Sequence, residues 1–359
     1  MKFEYFLMNK SSLNTEDRLK ALIELGEVLR QGDEQLEQLI QTAAGYNPWF
    51  TAGFTKKATD ALAEMLRADA MRSWNAQWAH YPVVHNPKKI GLILAGNIPM
   101  VGFHDVLCVL AAGHIALIKC SSQDNKLLPY ILNKLCSIEP AFEKQILYTE
   151  KLENFDAVIA TGSNNTSRYF EYYFGKVPHI IRKNRNSVAI LRGDESKADL
   201  HALGTDIFDY FGLGCRNVSK LMVPEEYDFR LFFEAIESFS EISQHHKYHN
   251  NYDYHKSIFL VNGESHFDNG FLLLKKDTKL ASPLAVLHYE SYANQVELSD
   301  ELLNKADEIQ CIASMHPIES ANQVVPFGAT QQPRLWDYAD GINLMEFLLK
   351  ELYTIPGKL

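Results

Sequence analysis

The sequence predicts an α/β protein of two packed α/β domains, with parallel-rich sheets, a cleft between them and a helical N-terminus. Three observations carry that reading. Residues 86–124, NPKKIGLILAGNIPMVGFHDVLCVLAAGHIALIKCSSQD, run from an apolar strand through a turn and a helically spaced segment to a second apolar strand. Strands apolar throughout are those of parallel sheets covered on both faces. A second series of the same kind begins near Asn186 with SVAIL, and no linker rich in Pro, Gly or Ser separates the two.

The elements follow in order. NTEDRLKALIELGEVLRQG has Asn14 or Thr15 as a cap, acids in the first turn and Gly32 as a stop, which are the marks of a helix. A second helix is expected over 33–44 and a third over TKKATDALAEMLRADAMRSW. IGLILA and ALIKC are strands around the GNIP turn, LLPYILNKLCSI is a helix, and QILYT and DAVIATG extend the sheet. The second series holds SVAIL, a helix over 199–211 and a strand in CRNVSKLMVP. HHKYHNNYDYH (245–255) reads as polar and irregular, and KSIFLVNG, AVLHY and EIQCIAS as strands. PFGATQQPRLWDYADG reads as a loop and INLMEFLLKEL as a closing amphipathic helix. The expected domains are 1–186, completed by 330–359, and 187–329.

Composition narrows the function. Of 359 residues, 46% are hydrophobic and 22% charged, which is ordinary for a soluble globular chain. A formal charge of −10, with no Lys or Arg cluster, argues against nucleic-acid binding. The N-terminus is too polar for a signal peptide, and no apolar run approaches the ~20 residues of a membrane span. Cys108, Cys120, Cys136, Cys215 and Cys311 are odd in number and without paired motifs. That pattern predicts free thiols in a reducing, cytoplasmic setting.

Few residues stand out for chemistry. Cys215, in FDYFGLGCRNVSKLMVP, follows Gly212 and Gly214 and precedes an apolar strand. Glycines there expose a thiol and its own N–H to a ligand, or merely bend the chain into the strand. The other cysteines lie in or beside apolar runs and read as structural. Thr161-Gly162-Ser163 joins a strand to a helix, which suits a phosphate or else is a tight turn capped by Ser163. The dinucleotide fingerprint GxGxxG is absent. Asn97 follows a buried strand, where an amide can donate to a developing oxyanion or simply sit in a turn before proline. Lys119 ends ALIKC and either reaches a cofactor or faces solvent. The histidines at 245, 246, 249 and 255 are expected in a solvated loop, and no metal site is expected.

Together these pieces resemble the aldehyde dehydrogenase superfamily. LAGNIPM resembles the family's Pro-Trp-Asn-Phe/Tyr-Pro turn, with Asn97 and Pro99 on its last polar residue and proline. AAGHIALIKCSS resembles AAGNxVVxKPSE, which implies that Lys119 holds the cofactor ribose. ATGS resembles the FTGS phosphate turn, and FGLGC resembles GQxC, which makes Cys215 the nucleophile. PLAV resembles the stretch after Glu-x-Phe-Gly-Pro, and PFGA resembles PFGG. The motifs keep the family order across 91–329, so an aldehyde-dehydrogenase-like fold is implied.

The departures sharpen the resemblance. Arg182 stands where the family's hydrolytic members carry a water-activating glutamate, and Lys279 roughly where a nicotinamide-ribose glutamate would be. Arg182 is expected at the surface, with contact to coenzyme A phosphates as the other reading. Ser122 replaces a glutamate that would repel a 2′-phosphate, so NADPH is the expected cofactor with NADH as the alternative. The chain is also short for the family. Within it, the AGNIP turn and GLGCR most resemble the LuxC-type acyl-CoA reductases. The resemblance implies reduction of an acyl-CoA to an aldehyde through an acyl-cysteine. Cys215 and Asn97 would be catalytic, and Lys119, Ser122, Thr161, Gly162 and Ser163 would hold the cofactor. It also implies a homo-oligomer. The alternatives are an acyl phosphate reductase, an aldehyde oxidiser, and a non-catalytic scaffold.

Overall fold

The structure is a computed structural model that describes residues 13–162 and 164–354. Its contacts divide the chain into two compact units. Unit 1 is Met1–Lys183 with Arg334–Tyr338 and Ile342–Leu359, and unit 2 is Asn184–Pro333 with Ala339–Gly341.

Among the described residues, unit 1 begins with four α-helices. In α1 (Thr15–Gln31) the Asn14 side chain accepts from Asp17 N–H, and Gly32 ends the helix at φ +66°. Helix α2 (Glu34–Thr42) is capped by Asp33. The third expected helix is instead two, α3 (Ala52–Met65) and α4 (Ala68–Trp78). No helix breaker separates them. Leu66 is fully buried, and it packs on Gly26 so closely that a Cβ there would lie 2.7 Å from its own. Tertiary packing overrides local propensity at this break.

The sheet of unit 1 has strands β1 (Lys89–Ile93), β2 (Ile115–Lys119), β3 (Ile146–Tyr148), β4 (Ala157–Thr161) and β5 (His179–Arg182), in the order β3-β2-β1-β4-β5. All neighbours are parallel. Helices α5 (Phe103–Ala112), α6 (Leu127–Ile138) and α7 (Asn164–Phe174) connect them. The N-terminal helices share one core with the sheet and with α5 and α6. Arg18 of α1 is buried and donates through Nε to Ala111 O at the C-terminal turn of α5, at 3.0 Å. A cation there suits the negative end of the helix dipole. The helical segment at 344–354 returns to this core, and buried His114 joins it through Leu348 O at 3.0 Å.

Unit 2 is built on strands β6 (Asn186–Ile190), β7 (Val218–Pro224), β8 (Phe267–Asp268), β9 (Leu273–Lys276), β10 (Val286–Tyr292), β11 (Ile309–Ser314) and β12 (Gln323–Val325). Their order is β12-β11-β6-β7-β10-β9-β8, parallel except for β8 against β9. Its helices are α8 (Lys197–Phe208), α9 (Arg230–Ile236), α10 (His246–Asn262) and α11 (Gln295–Asn304). Leu221 and Val223 face one core with α8 and α9, while Val188, Ile190 and Met222 face another with α11. Both faces of the central strands are thus covered, which is why SVAIL and KLMV carry no polar alternation.

The segment expected to be irregular is helix α10, and it swallows KSIFLVNG, expected as a strand. The segment contains neither Gly nor Pro before Gly263, which closes the helix in the left-handed conformation. Tyr248, Tyr252 and Phe259 form its buried face. Tyrosine and histidine at these positions obscure the helical period when the sequence is read for aliphatic residues.

Candidate active site

Two candidate cofactor residues of unit 1, Lys119 and Thr161, and the candidate oxyanion donor Asn97 lie at one end of its sheet. Lys119 is the last residue of β2, Thr161 the last of β4, and Asn97 lies in the turn just after β1. Strands β2, β1 and β4 are adjacent, so the three positions gather at the carboxyl ends of three neighbouring strands. The chain reverses its winding between β1 and β4, and that switch point is where open parallel sheets bind ligands. Lys119 is exposed and Thr161 and Asn97 are half-buried. Gly162 follows at the start of α7, where a Cβ would lie 2.9 Å from the Phe170 ring and 3.1 Å from Thr166 Cβ. Glycine at this position lets the turn pack closely against α7. These strand ends are the residues of unit 1 that could hold a cofactor. Ser122 is exposed in the loop after β2. Ser163 lies outside the described residues.

Sequence reasoning missed the residue that ties these loops together. Asp124, buried after β2, accepts from Met100 N–H at 2.6 Å. Met100 follows the Asn97 turn and has φ +56°, an uncommon conformation for a side-chain-bearing residue. Gly96 packs against the same loop, where a Cβ would lie 2.5 Å from Ser121 Oγ. Burial pushes the Asp124 carboxyl up to about 6. An ordinary aspartate titrates near ~3.9, so the folded chain holds this proton where the unfolded chain has lost it. Its contribution is fully present below ~3.9 and is lost as pH rises through about 6. Burial brings the His114 imidazole down to about 4, which gives the opposite slope. The check is therefore a difference. Relative to wild type, Asp124→Asn should gain about 3 kcal/mol between pH 4 and 7 in urea unfolding. Parallel pH profiles would contradict it.

Arg182 is not at the surface. It is buried at 6% exposure, and its Nη1 donates to both carboxylate oxygens of buried Asp105 of α5, at 2.7 and 2.6 Å. Ile180 and Arg182 point to the same inner face of β5, so the cation needs a counterion there. Arg182 is also the register partner of Thr161, and its carbonyl accepts from Gly162 N–H at 3.3 Å. Neither sequence reading of Arg182 survives, since the guanidinium is locked inside unit 1.

Cys215 lies in unit 2, in the loop that leads into β7, and is the exposed one of the five free cysteines. Burial pushes the thiols of Cys108 and Cys136 up, and that of Cys120 to about 11. Those groups are poor thiolates. Ahead of Cys215, Tyr210, Phe211 and Gly212 take φ of +52°, +60° and +75° in succession. Left-handed backbone costs roughly 1–2 kcal/mol per non-glycine residue, and both aromatic rings are buried against it. The Phe211 ring sits 4.3 Å from that of His245 and 6.1 Å from that of Tyr248. The histidine-rich segment thus begins a helix that packs on this strained loop. Among the described residues no group of three or more His, Cys, Asp or Glu side chains is placed to hold a metal ion.

The Cys215 loop is firmly held. Ser187 Oγ of β6 donates to Cys215 O at 2.9 Å. The register between β6 and β7 slips after Ser187, leaving Ser219 as an extra residue in β7. Bulges of this kind re-aim side chains beside functional sites. Ser219 Oγ bonds to Leu280 O at 2.9 Å, which draws in the segment bearing exposed Lys279. Fully buried Lys220 supports the same segment through Thr278 O at 2.9 Å and pairs with Glu290. In PLAV, Ala285 has φ +63° at the entry to β10. The PFGA turn is tied to the Cys215 loop by Arg216, which bonds to Thr330 O and, at 2.9 Å, to Gln323 Oε1.

Residues 55–229 match the family model described as acyl-CoA reductase (LuxC). Among solved structures, aldehyde dehydrogenase 21 of Physcomitrella patens, in complex with succinate, is 14% identical with a TM-score of 0.64, covering 95% of this chain and 85% of that one. The aldehyde dehydrogenase KauB of Pseudomonas aeruginosa is 14% identical over 88% and 75%, with a TM-score of 0.62. An indole-3-acetaldehyde dehydrogenase of P. syringae bound to NAD+ is 14% identical over 89% and 75%, with a TM-score of 0.61. The chain has the aldehyde dehydrogenase fold, and just under half of it matches the LuxC model. No curated protein matches it.

The LuxC-matched stretch spans α3 to the end of β7 and so includes Asn97, Lys119, Ser122, Thr161, Gly162 and Cys215. No described helix is long and apolar enough to cross a membrane.

Proposed function

We propose that this protein reduces an acyl-CoA thioester to an aldehyde through an acyl-cysteine on Cys215. The observation that carries the reading is an exposed thiol on a strained, bonded loop inside the stretch that matches the acyl-CoA reductase model. The Cys215 thiolate would attack the thioester carbonyl, and its own N–H, with the Asn97 amide that the resemblance assigns, would receive the charge on oxygen. Coenzyme A leaves as its thiolate and takes a proton, and the acyl group stays on sulfur. NAD(P)H, when bound, supplies the hydride that reduces this carbonyl. The resulting thiohemiacetal releases the aldehyde and restores the Cys215 thiolate. Lys119, Ser122 and the Thr161-Gly162-Ser163 turn would hold the cofactor, and a serine at 122 tolerates a 2′-phosphate.

Arg182 supports reduction over hydrolysis. A guanidinium paired with Asp105 cannot abstract a proton from water, so that position offers no base to discharge the acyl-cysteine. The test mixes the protein with NADPH or NADH and hexanoyl-, decanoyl- or hexadecanoyl-CoA, following nicotinamide absorbance and aldehyde. Acyl-dependent oxidation with aldehyde release is the expected result. Turnover with an acyl phosphate alone, or aldehyde oxidation alone, would replace this reading. No turnover with any of these would favour a non-catalytic role.

A further inference from the structure

A closed circuit of hydrogen bonds surrounds Cys215, and one side chain that the mechanism does not use stands at its centre. Asp206, on α8 and fully buried, accepts three bonds through its carboxylate. They come from Gly328 N–H at 2.7 Å, Thr330 N–H at 3.0 Å and Thr330 Oγ1 at 2.8 Å. Its backbone carbonyl accepts from Asn217 Nδ2 at 3.0 Å, and the same amide nitrogen reaches Asp209 O at 2.9 Å. Asn217 Oδ1 in turn accepts from Gly214 N–H at 2.9 Å. Arg216 closes the ring on Thr330 O. The bonds therefore bracket Cys215 from both sides, at Gly214 and at Arg216-Asn217, and anchor it to the turn at 326–330.

We propose that Asp206 is a positioning residue for Cys215, which joins the thiol loop and the 326–330 turn into one frame and fixes the direction from which sulfur meets an acyl carbonyl. The inference rests on the reading of Cys215 as the nucleophile. A buried carboxylate bonded to backbone N–H groups resists displacement, because each charge-assisted bond would have to be given up without water to replace it. The frame also opposes relaxation of the left-handed turn at 210–212, since Asn217 holds the carbonyl of Asp209 directly before it. Acyl transfer depends steeply on such alignment, and a misplacement of ~1 Å can cost ~10²-fold.

The experiment compares wild type, Asp206→Asn and Cys215→Ala. Asparagine keeps the volume but turns an N–H group toward one of the N–H donors. Acylation of Cys215 is followed by intact mass after mixing with decanoyl-CoA in the absence of nicotinamide, beside alkylation by iodoacetamide and thermal unfolding. Alkylation needs only an exposed thiolate, whereas acyl transfer needs an aligned one. Asp206→Asn should acylate ~10²-fold more slowly than wild type while alkylating within about threefold of it. Equal acylation rates in the two proteins would overturn the positioning role alone. So would parallel losses of acylation, alkylation and folded fraction, which mark a merely structural residue. A wild type that takes up no acyl group at Cys215 would overturn the nucleophile reading and the inference with it. If Asp206→Asn does not fold, Thr330→Val removes the hydroxyl bond to Asp206, with the longer one from Gln331, and keeps both backbone N–H bonds to the carboxylate. It should slow acylation severalfold with alkylation unchanged, and an unchanged acylation rate there counts against the proposal.

Discussion

Cys215→Ala is expected to lose acyl-dependent NAD(P)H oxidation by at least ~10³-fold while its cofactor affinity stays unchanged. The size of the effect follows from the absence of a substitute. Cys108 and Cys311 are buried and Cys120 and Cys136 half-buried. Burial also raises the thiols of Cys108, Cys120 and Cys136, so the thiolate they would need is scarce near pH 7. Cys215→Ser should not restore turnover, because a serine hydroxyl without a neighbouring base is a weak nucleophile. Cofactor binding should survive, since none of the residues proposed to hold the cofactor, Lys119, Ser122 and Thr161-Gly162-Ser163, is altered. Intact mass supplies the independent readout, with an acyl adduct on wild type and none on the variant. Turnover equal to wild type in Cys215→Ala would remove this residue from the chemistry.

The second large effect is on stability. Arg182→Met should destabilise the fold by about 3–5 kcal/mol, because Asp105 would remain as a buried anion with its cation gone. Both partners are at most 7% exposed on their side chains, so water cannot take over the lost bonds. Arg182→Met with Asp105→Leu should recover most of that loss, since an apolar pair of similar volume avoids the desolvation of two charges. Urea midpoints for the two single variants and the double variant form the cycle that measures this. A single variant within 1 kcal/mol of wild type would show that the pair is dispensable.

Where local chemistry sufficed, the elements could be read directly. LLPYILNKLCSI is α6 from end to end. The apolar runs IGLILA, ALIKC, DAVIATG, SVAIL and EIQCIAS all became strands of parallel sheets. Each is short, bounded by turn residues and apolar on both faces, a combination that only a covered sheet satisfies. The glycines around Cys215 also signalled an unusual backbone, although the left-handed φ at Tyr210 and Phe211 had no signal of its own. Aromatic residues rarely adopt it, and only the packing of both rings holds it there.

The buried charges were another matter. Arg182 finds Asp105 across 77 residues of chain, and Asp206 finds Gly328 across 122. From the sequence Arg182 was expected at the surface, and Asp206 drew no notice within the helix expected over 199–211. Whether a charge faces water or a partner depends on what another segment brings to it, and no local pattern encodes that. Helix α10 shows the same limit in its aromatic face, where Tyr248 and Tyr252 are apolar only because something covers them. The sequence by itself therefore determined the central parallel strands and the sheet class, though not β5, β8, β9 or β12, and it offered the candidate residues for the chemistry. Only the tertiary structure decided which polar groups are held, by what, and so how firmly the thiol is aimed, because hydrogen bonds and ion pairs between distant segments exist only once the chain has folded.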